Sequence, residues 1–250
     1  MHITAIIPAR MAATRFPDKP LASILGLPMI EHVRRRVAMA SLVDEVIVAT
    51  CDQAIVDVVE AAGGKAVMTA NTHERCTDRI AEAALGLHTD VIINVQGDEP
   101  LVQPSMMDAV VRPLLDEPDL VCVNLAVPIA NDAEFNDVNA VKTVTDLNSD
   151  MLCCSRSPIP SPAKAESPDY LRLKQLGIIA FRSDFLQTFS KLSPTPLEIV
   201  ESIDMMRAVE HGYKIRVIQV PERMIGVDLP GDIARVEALL ANDPLFSQYR

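Results

Sequence analysis

Residues 3–20 read Ile-Thr-Ala-Ile-Ile-Pro-Ala-Arg-Met-Ala-Ala-Thr-Arg-Phe-Pro-Asp-Lys-Pro, and they decide how the whole chain is interpreted. The apolar run Ile3 to Ile7 predicts a buried strand, and the small residues after it predict a turn that leaves the sheet. This turn carries Arg10, Arg15 and Lys19. Ligands of open α/β sheets bind beyond the carboxyl ends of the strands, so the three cations indicate an anion site, most simply for a polyphosphate. A solvated surface loop is the alternative.

The turn lacks the two common phosphate-binding motifs. Neither Gly-x-x-x-x-Gly-Lys-Ser/Thr nor Gly-x-Gly-x-x-Gly occurs between Pro8 and Gly26. The sequence therefore disfavours ordinary NTPase action and hydride transfer.

Composition narrows the class of protein. The chain has 250 residues, 49% of them hydrophobic, and a formal net charge of -11. We expect one globular domain spanning residues 1–250.

The acidic net charge argues against nucleic-acid binding, which depends on basic charge. There is no signal-peptide pattern and no apolar run that could enter a membrane, so we expect a cytoplasmic protein with a small substrate. The five cysteines are odd in number and lack metal-ligand spacing, which predicts reduced thiols.

Apolar periodicity predicts alternating strands and helices up to residue 127, which favours a doubly wound, mostly parallel α/β sheet. After the first strand, the predicted elements are a helix through Met29–Val37, a strand 45–50, a helix 53–62, a strand 65–69, a helix 78–87, a strand 90–95, a helix 104–115 and a strand 120–127.

The pattern changes at residue 128. Strands predicted at 141–145, 151–156 and 176–182 have few helices between them, so we expect an antiparallel extension over roughly 128–212. Four prolines in 157–168 predict an irregular excursion. Helical spacing returns over 196–212, followed by a strand 214–220 and a last helix from Pro230.

A second group of polar residues follows the predicted strand 90–95, in Val95-Gln-Gly-Asp-Glu-Pro100. Gly97 would let the backbone approach a ligand closely, and Asp98 is the candidate ligand for Mg²⁺. Because Mg²⁺ uses one or two protein carboxylates, a second should come from elsewhere, and Asp228 is predicted to close a late strand in the same way. Each aspartate taken singly is more often a turn or cap residue.

A third group is His73-Glu-Arg-Cys-Thr-Asp-Arg79, in a loop that enters a predicted helix. Backbone N–H groups and Arg79 could face a polar or anionic ligand there. The structural alternative is that Thr77 caps the helix and Arg79 pairs on its surface.

Together with Gly26-Leu-Pro-Met-Ile, the pattern Ile-Pro-Ala-Arg-x-x-x-Thr-Arg-x-Pro-x-Lys-Pro-Leu resembles the opening of the CMP-Kdo synthetases, the 3-deoxy-manno-octulosonate (Kdo) cytidylyltransferases. The likeness continues through Leu125-Ala-Val-Pro-Ile, Asn139-Ala-Val-Lys, Ser155-Arg156 and Pro196-Leu-Glu. It implies transfer of CMP from CTP to the anomeric hydroxyl of Kdo or a closely related 3-deoxy-2-ulosonic acid, with release of pyrophosphate, in a homodimer that serves lipopolysaccharide synthesis.

The resemblance also implies roles for residues. Catalysis would fall to Arg10, Lys19 and Asp98, and Asp98 with Asp228 would hold Mg²⁺. Substrates would contact Pro8, Ala9, Arg10, Arg15, Lys19, Thr77, Arg79, Gln96, Arg156, Gln175 and Asp204, with Arg156 on the sugar carboxylate.

This chain departs from the family pattern at four places. It has Gln175 for the usual histidine, Ile179 for tyrosine, Asp204-Met205 for Glu-Gln, and Cys76 for the glycine of Ser-Gly-Thr-Asp-Arg. A site built to bind a hydroxyl discriminates against ligands that lack it, so the acceptor could be a different acidic sugar or a phosphonate. A nucleotide-binding relative without turnover is the hypothesis from another class, and the presence of both aspartates argues against it.

Overall fold

A computed structural model describes residues 1–12, 16–164 and 170–250. Its internal contacts divide the chain into two compact units: unit 1 comprises residues 1–108 and 224–250, and unit 2 comprises 109–223. A single domain over 1–250 with an extension at 128–212 stays a prediction. No helix in the described part of the chain is long and apolar enough to span a bilayer.

The described elements, in chain order, are β1 (Ile3–Ala9), β2 (Ser23–Ile24), β3 (Leu27–Pro28), α1 (Met29–Val37), β4 (Glu45–Thr50), α2 (Gln53–Ala61), β5 (Lys65–Met68), α3 (Cys76–Ala83), β6 (Val91–Asn94), α4 (Pro104–Asp116), β7 (Cys122–Pro128), α5 (Asp132–Asn136), β8 (Lys142–Thr145), β9 (Met151–Ser155), β10 (Leu173–Arg182), α6 (Ser183–Phe189), α7 (Pro196–Glu201), α8 (Met205–Glu210), β11 (Arg216–Gln219), α9 (Asp232–Leu240) and α10 (Phe246–Tyr249).

Unit 1 contains a parallel sheet in the order β6-β1-β4-β5. All seven residues of β1 are buried, as expected for a central strand covered on both faces. Parallel strands of one sheet end at the same edge, and the register pairs Ile6 with Asn94, the last residue of β6. The segments that follow β1 and β6 therefore leave the sheet side by side.

Unit 2 is mainly antiparallel. Strand β10 pairs antiparallel with β7 and β8, β8 pairs antiparallel with β9, and β11 runs parallel to β7. The predicted α/β fold, with a mostly parallel sheet and an antiparallel extension, is confirmed. In the described part of the chain no helix lies between β8, β9 and β10, as expected, and α7 and α8 lie in the stretch 196–212 predicted to be helical. Helices α5 and α6 were not predicted.

Two further expectations are corrected. Helical spacing over 196–212 is split into α7 and α8 at Ser202, whose φ of 55° is incompatible with a continuing right-handed helix. Asp228 does not close a strand: residues 224–227 form no ladder, and the backbone of Val227 instead donates one hydrogen bond to the carbonyl of Asp98 at 2.9 Å. The excursion predicted at 157–168 falls partly on residues 165–168, which lie outside the described chain.

Candidate functional site

A cavity of about 320 Å³ opens in unit 1 where β1 and β6 end. Its wall includes Pro8, Ala9, Arg10, Lys19, Arg79, Gln96, Asp98 and Asp228 from the predicted site, and Ala12, Phe16, Pro20, Met29, His73, Glu74, Arg75, Cys76 and Gly97. The turn after β1, the turn after β6 and the loop before α3 thus line one cavity, and their roles in binding stay a prediction.

Gly97 lets the two turns approach each other. A Cβ atom at this position would lie 2.9 Å from the backbone carbonyl oxygen of Pro8 and 3.4 Å from side-chain atoms of Ile7 and Ile30. Real Cβ contacts are longer than the first of these distances, so any side chain here would push the turn after β6 away from β1. The glycine therefore sets the position of the adjacent Asp98.

Lys19 links three parts of the site. Its Nζ donates to Oδ2 of Asp98 at 2.6 Å and to the carbonyl of Val227 at 2.9 Å. The ammonium thus joins the turn after β1 to the turn after β6 and to the segment carrying Asp228. A cation held among these groups can move little, which suits it to binding phosphate oxygens at a fixed place.

The segment around Asp228 is held by its backbone. Oδ2 of Asp232, in the first turn of α9, accepts the N–H of Asp228 at 2.9 Å and that of Leu229 at 2.8 Å. These two N–H groups lower the pKa of the Asp232 carboxyl, since they bind its ionised form. A Cβ at Gly226 would lie 3.1 Å from Oε1 of Glu99, so this chain passes close to the turn after β6.

Asp98 and Asp228 offer the oxygen ligands that Mg²⁺ prefers, and both line the cavity. Within residues 1–12, 16–164 and 170–250, no group of three or more His, Cys, Asp or Glu side chains could hold a metal ion. A pair of carboxylates still fits Mg²⁺, because this ion completes its shell with water and substrate phosphates.

In the segment 73–79, Thr77 does not cap the helix and Arg79 does not pair on its surface, in contrast to the structural alternative considered from the sequence. Helix α3 begins at Cys76, so Thr77 is its second residue rather than its cap, and it is buried. Arg79 does not pair on the surface either: it is 3% exposed and donates to the Thr69 hydroxyl and the Ala70 carbonyl. Thr77 is absent from the cavity wall, whereas Arg79 belongs to it.

Besides Thr77, three described residues of the predicted site are not in this cavity wall: Arg156, Gln175 and Asp204, which belong to unit 2. Arg15 lies outside the described residues. Arg156 donates from Nε, Nη1 and Nη2 to three backbone carbonyls, those of Glu201, Val138 and Ser202, at 2.6, 3.0 and 3.3 Å. Its guanidinium has five N–H donors, so a contact with a sugar carboxylate stays a prediction.

Gln175 lies at an irregularity in β10, where the register with β7 shifts before Ile179. Its Nε2 donates to Oδ1 of the fully buried Asn124 at 2.5 Å. Ile179 and Met205 are also buried, with exposures of 4% and 0%. In this structure the two apolar residues pack in unit 2, as core residues do.

Sequence reasoning gave no ligand role to Phe16, His73 or Arg75, although each lines the cavity. Their positions in the two loops were the available signal, since those loops were already assigned to the site. What could not be read from the sequence is which side chains of each loop turn inward.

The comparisons with known proteins concern the family of the chain. A family model for cytidylyltransferases matches residues 4–215. The 3-deoxy-manno-octulosonate cytidylyltransferase of Syntrophotalea carbinolica is 46% identical, covering 96% of this chain and 99% of that protein. The enzyme of the same name from Geobacter metallireducens is 45% identical over 94% of this chain and 96% of its own.

Solved structures show the same relationship. A CMP:2-keto-3-deoxy-manno-octonic acid synthetase in complex with CTP superposes with a TM-score of 0.91 at 40% identity, covering 96% of this chain and 99% of that one. The 4-diphosphocytidyl-2C-methyl-D-erythritol synthase of Anaerococcus prevotii, at 16% identity and a TM-score of 0.64, covers 96% of this chain and 99% of its own and shares the fold alone. The chain therefore belongs to the cytidylyltransferase family, among the 3-deoxy-manno-octulosonate cytidylyltransferases.

Proposed function

We propose that this chain transfers CMP from CTP to the anomeric hydroxyl of Kdo, or of a closely related 3-deoxy-2-ulosonic acid, and releases pyrophosphate. The observation that carries the proposal is the 46% identity, over nearly the full length of both chains, to a 3-deoxy-manno-octulosonate cytidylyltransferase. The cavity in unit 1 supports it, because cations and carboxylates meet there at the ends of parallel strands.

Within that cavity we assign the triphosphate to Arg10 and Lys19, with Arg15 as a further cation expected from the sequence. These charges hold the phosphates so that the acceptor hydroxyl can attack the α-phosphorus opposite the leaving pyrophosphate. Positioning and charge stabilisation are sufficient for this transfer, and no covalent protein intermediate is required.

Mg²⁺ is the expected cofactor, with Asp98 and Asp228 as its protein ligands. When bound, it would neutralise charge on the phosphates. Lys19 has a role of its own, since its ammonium sits 2.6 Å from Asp98 and keeps that carboxylate at the phosphate end of the cavity.

On the acceptor side we propose Arg156, Gln175 and Asp204 as contacts of the acidic sugar. The burial of Ile179 and Met205 supports Kdo itself as the acceptor, because these residues act as packing side chains and not as replaced hydrogen-bonding groups. Selection of a different acidic sugar would have to depend on residues other than Ile179 and Met205.

The proposal extends to a homodimer in the cytoplasm whose product serves lipopolysaccharide synthesis. Unit 2 exposes large apolar side chains, which favours burial against a second copy. These are Leu147, Leu152, Leu197, Ile199 and Val200.

A pyrophosphate-release assay tests the function. Each of the four NTPs is combined with Kdo and with a panel of other acidic sugars, in the presence of Mg²⁺. We expect release with CTP and Kdo together, and identification of CMP-Kdo by mass. No release with this pair, or faster release with another nucleotide or sugar, would refute the assignment.

A further inference from the structure

His73 lines the cavity, and the proposed reaction assigns no role to this residue. Its side chain is 21% exposed, and its Nε2 contacts the Oε2 carboxylate oxygen of Glu82 in α3. The same carboxylate accepts the backbone N–H of Ala70 at 3.0 Å. The hydrogen bond from His73 is the largest cause of the lowered pKa of Glu82, which keeps this carboxyl ionised.

Arg79 fixes the same loop from a second point. It donates to the Thr69 hydroxyl and, at 3.2 Å, to the Ala70 carbonyl. The backbone N–H of Ala70 is therefore held by Glu82 and its carbonyl by Arg79, and both side chains come from α3. The loop that carries His73 is thus a fixed wall of the cavity, and the imidazole is preorganised for a ligand.

Glu82 also decides which nitrogen of His73 carries the hydrogen. An ionised carboxylate can only accept hydrogen bonds, so Nε2 of His73 must be the donor. In the neutral imidazole, Nδ1 is then an acceptor. Within the part of the chain that the structure describes, Nδ1 of His73 has no hydrogen-bond partner. It is the polar atom of this ring that remains for a ligand.

The charges around His73 indicate which part of the nucleotide it meets. Arg10 and Lys19 belong to the turn after β1, the end suited to phosphates. His73 instead stands in a wall where the carboxylates of Glu74 and Glu82 balance the charges of Arg75 and Arg79, so this wall has no excess positive charge for phosphate. The nucleoside end of the ligand is the better match for this wall.

An acceptor on the protein distinguishes cytosine from uracil. Cytosine carries an amine at N4, which donates hydrogen bonds, whereas the corresponding O4 of uracil or thymine only accepts them. We propose that His73 Nδ1 accepts a hydrogen bond from the cytosine amine and so selects CTP over UTP, and that Glu82 is the positioning residue that fixes the tautomer. This inference rests on the proposed function, because it explains the choice of donor nucleotide.

Glu82→Gln gives the sharpest test. The amide has two ways to satisfy its neighbours. Its oxygen, at the place of Oε2, can accept from both His73 Nε2 and Ala70 N–H, or its oxygen accepts from Ala70 while its NH₂ donates to Nε2 of His73. In the second orientation the hydrogen of the imidazole lies on Nδ1, so the tautomer is no longer fixed. We expect CTP binding to weaken, UTP binding to strengthen, and the CTP/UTP affinity ratio to fall about two- to tenfold.

His73→Leu is the second variant, and it removes the acceptor without replacing it. CTP affinity should fall about two- to tenfold with UTP affinity unchanged. His2→Leu is the matched control, because His2 also stands near a carboxylate, Nδ1 to Asp44 Oδ2 at 3.6 Å, but lies outside the cavity wall. Affinities are measured by calorimetry on the full chain at pH 8 with Mg²⁺ and no acceptor, alongside Tm.

The outcomes separate the two proposals. If the wild-type chain does not bind CTP, the proposed function fails. If it binds CTP in preference to UTP and both variants keep that preference with an unchanged Tm, the role of His73 is refuted and the function stands. A Glu82→Gln variant that fails to fold leaves His73→Leu to decide, and a loss confined to the KM of the acceptor also counts against the inference.

Discussion

At the scale of single residues, Asp98 connects three parts of the candidate site: its own turn, the turn that carries Lys19 and the segment that carries Val227. Its backbone carbonyl accepts from Val227, its carboxylate accepts from Lys19, and it follows a glycine that has no room for a side chain. Two hydrogen bonds made by different atoms, together with the confined glycine before it, leave this residue little freedom. Its position is therefore set before any ligand binds.

Asp98→Asn should abolish most of the turnover while the fold remains intact. The amide has nearly the same shape as the carboxylate but binds Mg²⁺ and the Lys19 ammonium much more weakly. We expect kcat to fall by about 100-fold or more and Tm to change little. The measurement is pyrophosphate release over a Mg²⁺ titration, and activity near that of wild type at high Mg²⁺ would remove Asp98 from the metal site.

Gly97→Ala tests the close approach of the two turns. A Cβ atom 2.9 Å from the Pro8 carbonyl must push the backbone apart, at a cost of about 1–3 kcal/mol in the free energy of unfolding. CTP affinity should fall as well, since Asp98 moves with the turn. Gly231→Ala is the control: its φ of -65° suits alanine and no atom lies within 4 Å of the added Cβ. Equal Tm values for the two variants would show that the turn after β6 accommodates the added Cβ without cost and would contradict this prediction.

At the scale of elements, α7 and α8 are joined across the break at Ser202 by a buried ion pair. Arg207 donates from Nε and Nη2 to the two carboxylate oxygens of Glu198, at 2.8 and 2.6 Å, and their side chains are 6% and 2% exposed. The guanidinium also lies over the ring of Phe189. The pair fixes the angle between two helices of six residues each, which are too short to be stable alone.

Arg207→Met should leave the Glu198 carboxylate buried without its cation. We expect a loss of about 3–5 kcal/mol in the free energy of unfolding, measured by urea denaturation. The double variant Glu198→Leu/Arg207→Met should recover most of it, because no charge is then stranded. Lys65→Met breaks the exposed pair with Glu45 and should cost less than about 1 kcal/mol. A loss for Arg207→Met as small as that for Lys65→Met would contradict the burial argument.

At the scale of the molecule, the end of the chain completes unit 1. His32 of α1 is fully buried, with Nδ1 3.0 Å from the Tyr249 hydroxyl and Nε2 2.8 Å from the Ile24 carbonyl. Arg36, also buried, pairs with Asp243 at 2.7 Å. The last residues of the sequence therefore pack against the helix whose first residue, Met29, lines the cavity.

The buried imidazole makes stability depend on pH. Burial, followed by the nearby Arg36 and Arg35, lowers the pKa of His32 below its usual 6.5 in the folded chain, while the Ile24 carbonyl and Glu31 act in the opposite direction. The unfolded chain thus binds the proton more readily. The free energy of unfolding should be fully retained above about pH 6.5 and fall below it, by at most about 1.4 kcal/mol per pH unit.

Urea unfolding at pH 7.5 and 5.5 measures this loss in the wild type and in His32→Gln. The variant has no imidazole, so its stability should change less between the two pH values. The carboxyl groups of Glu82 and Asp232 titrate below this window, since their pKa values are lowered further. Identical changes in the two proteins would assign the pH dependence to another group.

The sequence by itself determined the α/β fold, most strand and helix positions in unit 1 and the residues that gather at the ends of β1 and β6. These follow from local patterns, because a buried parallel strand is a continuous apolar run and its carboxyl end is a known place for ligands. Strand β4 and helix α1 occur where the apolar spacing predicted them. The family itself was readable from the motif in residues 3–20.

Only the tertiary structure decided which side chains of each loop face the cavity and which residues hold them. Three features depend on the packed chain: the separation of α7 from α8 at Ser202, the place of Thr77 inside α3, and the hydrogen bonds of Val227 with Asp98 and Lys19. The contact of His73 with Glu82 is local in the chain, yet its meaning depends on the cavity beside it. Hydrogen-bond partners and burial are properties of the packed chain, and no periodicity in the sequence encodes them.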